Sequence, residues 1–138
     1  MPEAPAPTAS RLLILAHGAS WDRRFQVSSL AASAAAAGGR CDVALFFAAL
    51  EAWARDRWDA LDPDPPLTAE AITAAAFPPL STLLAPGRES GAVRLYACSA
   101  STRLLGLDPA EVQARVDALA GWPTFARLIG AAERVVTF

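Results

Sequence analysis

The chain has 138 residues, enough for one domain that buries about two-thirds of the surface its unfolded form exposes. Its 12 basic and 14 acidic side chains leave a net charge of -2. The arginines are scattered, so no basic patch invites nucleic acid. All of the basic residues are arginine, which excludes a Schiff-base lysine and a phosphate-binding loop with its lysine. Two cysteines make no disulfide framework, no paired metal-ligand spacing occurs, and no metal or cofactor is expected.

Residues 1–10 carry three prolines and no periodic pattern, and read as a disordered lead-in without the basic start of a signal peptide. No apolar run approaches the length that spans a bilayer, so no membrane partner is expected and the protein reads as soluble and cytoplasmic. From Arg11 the chain reads as one domain. Leu12-Leu13-Ile14-Leu15-Ala16 is a continuous apolar run closed by His17-Gly18, suited to a strand buried on both faces. Residues 21–37 predict a helix with Trp21, Phe25, Ser29, Ala32 and Ala36 on one stripe and Gly38-Gly39 as its stop. A second strand follows over residues 41–47, so strand, helix and strand form a right-handed crossover unit of an α/β fold.

Residues 48–60 predict an amphipathic helix, and the proline-rich run 62–66 predicts a surface loop. Asp59, Asp62 and Asp64 in this region are weak candidates for a cation, although acids in loops are mostly solvated. Thr68 caps a further helix, Pro78-Pro79 interrupts it, a turn covers residues 80–84, and Pro86-Gly87 closes the region. Asp108-Pro109-Ala110-Glu111 is a helix start whose apolar side is Val112, Val116 and Leu119, with Gly121 as its end. A short helix over residues 122–129 and a strand over 134–138 complete the chain.

Between these elements lies Val93-Arg94-Leu95-Tyr96-Ala97-Cys98, a strand that delivers a thiol to the small polar run Ser99-Ala100-Ser101-Thr102-Arg103. If that run opens a helix, its free amides and the Arg103 side chain would favour a thiolate. A buried cysteine packed as a small hydrophobe fits the same residues. His17 also ends a strand, and parallel strands finish on one edge, so the lone imidazole and Cys98 are expected along the edge where α/β sheets bind ligands. Cys41 begins its strand and falls roughly 15–20 Å away at the other edge, as packing. The tryptophans Trp21, Trp53, Trp58 and Trp122 read as core or interface.

From Arg11 onward the chain resembles the DsrE/DsrF-like family of small sulfur-relay proteins. The resemblance is carried by the strand ending at His17-Gly18, the helix into Ala37-Gly38-Gly39, the strand into Phe46-Phe47, and, more specifically, the segment from Val93 to Cys98 and the stretch from Phe125 to Phe138. It implies a three-layer α/β/α sandwich with a mainly parallel sheet and assembly as a homotrimer or homohexamer. It further implies a persulfide carried on Cys98, received from a donor protein and passed to a sulfur acceptor. Ser99, Ser101, Arg103 and His17 are the binding residues expected around that sulfur. Two other classes fit the same residues: a noncatalytic oligomeric module that holds a ligand or protein segment at the carboxyl edge, and a thiol peroxidase-like reductant, which has no resolving cysteine near Cys98.

Overall fold

The computed structural model describes residues 2, 10–63 and 67–138. The expected lead-in over residues 1–10 falls almost wholly outside the described residues, as do Asp64 and the prolines that follow it. Five strands and seven helices occur among the described residues. The strands are β1 (Arg11–Ala16), β2 (Arg40–Leu45), β3 (Val93–Cys98), β4 (Ala118–Ala120) and β5 (Arg134–Thr137). They form one sheet in the order β4-β3-β2-β1-β5, and every pairing is parallel. The helices are α1 (Trp21–Ala36), α2 (Phe47–Ala54), α3 (Ala69–Ala74), α4 (Leu80–Ser90), α5 (Ser99–Leu104), α6 (Pro109–Arg115) and α7 (Trp122–Ala131).

Alternation along the strands splits the core in two, because successive side chains leave a strand on opposite faces. Ile14, Ala16, Cys41, Val43, Leu45, Val93, Leu95 and Ala97 meet Val27 and Ala31 of α1, Leu50 of α2, Leu80 and Leu84 of α4, and Val112 of α6. Ala44, Phe46, Tyr96, Cys98 and Ala120 meet Phe125 of α7 on the other side, with Leu128 at the margin. The sheet is thus the middle layer of an α/β/α sandwich, thick on one face and covered by the amphipathic α7 on the other.

Several elements differ from what the sequence predicts, each for a local reason. The second strand stops at Leu45, and Phe47 opens α2 with φ of +42°, so the two phenylalanines turn the corner at the carboxyl edge. The helix expected over residues 48–60 ends at Ala54, since Asp56 takes a left-handed φ of +55°. Pro86-Gly87 does not close a region but lies inside α4. Burial of Leu80, Leu84 and Gly87 outweighs the one backbone hydrogen bond a proline removes. Gly87 is there for close approach, because a Cβ at that position would sit 2.4 Å from Val93 Cγ2. The true stop is Gly91, which has φ of +81°.

Of the residues read as the apolar side of one helix, Val112 lies in α6 and Leu119 in the edge strand β4, with Val116 in the link between them. Val116 is extended, with φ of -126° and ψ of 170°, and Asp117 then docks the chain on β3. Its N–H donates to Leu95 O at 2.9 Å, while its carboxylate accepts the Leu95 N–H at 2.7 Å. That two-way clasp turns a helical pattern into a strand.

The segment after α2 is held by a buried cation. Arg24, 3% exposed, donates from Nε to Ala19 O at 2.9 Å, from Nη2 to Ala60 O at 2.7 Å, and from Nη1 to Arg57 O at 2.8 Å and to Trp58 O. It also pairs with Asp62 at 3.2 Å. Asp62 in turn accepts the Trp21 N–H at 2.9 and 3.1 Å, so it caps α1 from 41 residues away where Ser20 makes no side-chain cap. Burial lowers the Arg24 pKa from its ordinary value and Asp62 works against that, which leaves a cation whose loss strands four carbonyls. Arg24→Met should cost about 3 kcal/mol, seen as a fall in melting temperature of about 10 °C by calorimetry. A melt within about 2 °C of wild type would show that the carbonyls find water instead.

Candidate functional site at the carboxyl edge of the sheet

Cys98 has two structural duties at once. It is the last residue of β3 and the N-cap of α5, with φ of -70° and ψ of 121°. Its Sγ accepts the Ser101 N–H at 3.4 Å, and its carbonyl accepts the Thr102 hydroxyl at 2.8 Å. The sequence folds this way locally because Val93, Leu95 and Tyr96 favour a pleated backbone, whereas the serines and threonine supply the polar groups that start a helix. The sulfur is closed in, Cys98 being 2% exposed.

Cys98 pairs with Ala120 on β4, and Leu45 of β2 pairs with Ala97, so Phe46 comes level with Cys98 on its other side. Phe46 and Phe125 pack with Cys98 in the same apolar group. Trp122, the first residue of α7, stacks on Phe46 with centroids 5.3 Å apart and stands edge-on to Phe125 at 5.7 Å. This aromatic cover was not read from the sequence. The signal available was Trp122-Pro123 at a helix start, but without β4 nothing placed that start at the carboxyl edge beside Cys98.

The other expected binding residues lie as follows. Ser101 is fully buried; its amide serves the sulfur, and its hydroxyl has no hydrogen-bond partner among the described residues. Ser99 is half-buried, with its Oγ 3.7 Å from where a Cβ on Gly121 would stand, so it borders the turn leading to Trp122. Arg103 is exposed in the last turn of α5, five residues beyond the sulfur, and forms no ion pair among the described residues. His17 follows β1 at the same edge, its side chain exposed. Its N–H donates to Phe138 O at 2.9 Å and its carbonyl accepts the Ala49 N–H at 3.3 Å. Since β2 separates β1 from β3, His17 and Cys98 stand two strands apart, about 10 Å at the usual spacing. The structure therefore brings Ser99, Ser101 and an aromatic group to Cys98, and leaves His17 and Arg103 farther out on the same edge.

Asp59 and Asp62, candidates for a cation, are engaged elsewhere. Asp59 accepts the Ser81 N–H at 2.7 Å and the Ser81 hydroxyl at 2.5 Å, and Asp62 is bound to Arg24 and Trp21. Among the described residues no group of three or more His, Cys, Asp or Glu side chains is placed to hold a metal ion. Trp53 donates its indole N–H to Arg115 O at 2.9 Å, Trp58 donates to Ser28 Oγ at 2.9 Å, and Trp21 stacks on Phe25, so these three are tied into packing.

A parallel sheet between two helical layers, with a cysteine capping a helix at the carboxyl edge, defines an α/β/α sandwich, and the carboxyl edge is where open α/β sheets bind ligands. The family model of the DsrE/DsrF-like family matches residues 12–138, nearly the whole chain. The protein belongs to the DsrE/DsrF-like family. Comparison with curated proteins gives no match. No helix among the described residues is long and apolar enough to cross a membrane.

The second cysteine is a useful contrast. Cys41 pairs with Val93, at the opposite end of β3 from Cys98, and is fully buried. Burial, with the neighbouring Asp42 charge as a smaller cause, pushes its thiol up to about 12. At pH 9 about 0.1% of it is thiolate, and that fraction grows about tenfold per pH unit below its midpoint. Native protein treated with iodoacetamide at pH 9 should therefore carry no label on Cys41, which should label fully once the chain is unfolded. Label on Cys41 in the native state, found by peptide mass spectrometry, would contradict its placement.

Proposed function

We propose that the protein is a sulfur carrier in which Cys98 takes sulfane sulfur from a donor protein's persulfide and passes it to an acceptor. The observation that carries this reading is the double role of Cys98, whose Sγ already accepts an amide N–H at the start of α5. A donor directed at sulfur is what a thiolate or perthiolate needs at the moment it forms. Membership of the DsrE/DsrF-like family supports the same direction. Ser99 borders the approach and the Ser101 amide holds the sulfur, while Arg103 and His17, on the same edge, meet the partner proteins. The carrier acts in the cytoplasm as a homotrimer or homohexamer, and light scattering at micromolar concentration checks the assembly; a monomer would remove it.

The burial of Cys98, at 2% exposure, favours one other reading: a noncatalytic module that binds a ligand or protein segment at the edge while the cysteine merely packs. One experiment separates them. The wild type, Cys98→Ser and Cys41→Ser are incubated with a persulfide donor, and mass spectrometry locates added sulfur. A labile +32 Da adduct, the mass of one sulfur atom, should appear on wild type and Cys41→Ser and vanish with Cys98→Ser, roughly a hundredfold drop in loading. Loading that persists without Cys98, or no loading anywhere, leaves the binding module standing.

A further inference from the structure

A thiol 2% exposed cannot meet another molecule's sulfur unless something above it moves. The register says what lies above. Phe46 is one residue past Leu45 on β2, and Trp122 is two past Ala120 on β4, so the two rings come from the strands on either side of Cys98. They nevertheless stack, 5.3 Å apart and 29° from parallel, which means the pair closes across the end of β3. Phe125 completes the cover, 5.0 Å from Phe46 and 5.7 Å from Trp122. The three rings are held very differently. Phe46 and Phe125 are 6% and 0% exposed and belong to the core, whereas Trp122 is 55% exposed at the first residue of α7. Moving either phenylalanine opens the core; rotating Trp122, already more than half exposed, breaks its stack on Phe46 and its edge contact with Phe125.

We propose that Trp122 is the lid of Cys98 and a specificity-determining residue for what reaches it. The proposal rests on the reading of Cys98 as a sulfur carrier. The lid swings aside for an uncharged donor, a protonated persulfide R–S–SH, and turns back small anions, which would lose their water against an aromatic wall that offers no compensating charge. With the lid open, the Cys98 thiolate attacks the outer sulfur. The Sγ–S bond forms, the donor S–S bond breaks, and R–S⁻ leaves; Cys98 keeps the persulfide with its proton, and no outside oxidant or reductant is needed.

Iodoacetamide and iodoacetate test the lid, because they share a leaving group and a size and differ in charge. The readout is the ratio of their rates at Cys98, by peptide mass spectrometry, relative to the same ratio for a cysteine peptide. Wild type should favour iodoacetamide by about tenfold over the peptide, the extra discrimination reflecting desolvation of the anion. Trp122→Ala should bring the ratio down to the peptide's by raising the iodoacetate rate, and Trp122→Phe should restore it, with the pH midpoint of alkylation the same in all three. A folded Trp122→Ala, judged by circular dichroism, whose ratio equals wild type overturns the proposal. Trp122→Ser, which removes the apolar wall and suits a helix start, takes its place if the alanine variant does not fold, and is held to the same ratio. Persulfide loading is run on the same proteins. A shifted ratio without loading removes the carrier reading and leaves the lid, whereas loading with an unshifted ratio removes the lid and leaves the carrier.

Discussion

The junction at Cys98 is the constraint on which the site depends, because one residue must end a strand and cap a helix. A strand places its last side chain by the pleat, and a helix start orients free N–H groups by its first turn; the two requirements agree only if the φ and ψ of the shared residue stay extended. Cys98 meets them with φ of -70° and ψ of 121°. Its sulfur then lies on the face that α7 covers, while Ser101, three residues on, turns its N–H back to it. The Thr102 hydroxyl, bound to the Cys98 carbonyl, locks the same turn from the other side. Among the described residues no charged side chain hydrogen-bonds to Cys98, so the backbone, rather than a neighbouring base, sets where the sulfur is held.

The rest of the carboxyl edge is fixed by groups reaching over long sequence distances. Asp62 caps α1 and Arg24 gathers the carbonyls of Ala19, Arg57, Trp58 and Ala60, which folds the turn after α2 against the start of α1. The Asp117 clasp on Leu95 holds β4 in register, and that register brings Gly121 and Trp122 beside Ser99 and Cys98. Both devices are polar groups satisfied inside the fold, and each replaces a local interaction that the sequence lacks: a cap at Ser20 in one case, a continued helix past Arg115 in the other.

How much of this was legible follows from the range of the interactions. The four longer strands, α1, the Thr68 and Asp108 caps and the strand-end position of Cys98 are written in runs of neighbouring residues: a continuous apolar stretch, a glycine stop, a polar residue before a helix. Phe47 and Pro86-Gly87 differ from their sequence reading because local propensity is overruled by tertiary burial, of Ala49 and Leu50 on α2 and of Gly87 against Val93. The strand β4 was invisible since three residues, Ala118 to Ala120, carry no period of their own; only pairing with Tyr96, Ala97 and Cys98 makes them a strand. The aromatic cover inherits that blindness, because Trp122 comes to Cys98 only through β4.

The face that carries Cys98 is itself divided along the strands. At the amino end it bears Arg11, Asp42 and Arg94, with the Arg94 guanidinium 5.4 Å from the centre of the Tyr96 ring, and burial raises the Asp42 pKa despite those arginines. At the carboxyl end the same alternation delivers Ala44, Phe46 and Cys98, which Phe125 of α7 covers. One helix, α7, is enough for this face because only the carboxyl half is apolar. The two cysteines show what that division means. Both are free and both are buried, so burial does not distinguish them. Cys41 lies inside the thick layer, with the adjacent carbonyl of Asp42, at 3.9 Å, its sulfur's one hydrogen-bond acceptor among the described residues. Cys98 lies under the thin layer, at the end where strands stop and a helix begins, with an amide donating to its sulfur and Phe46 and Phe125 packed in the same group. Among the described residues an amide N–H directed at the sulfur is thus found at one end of β3 and not at the other.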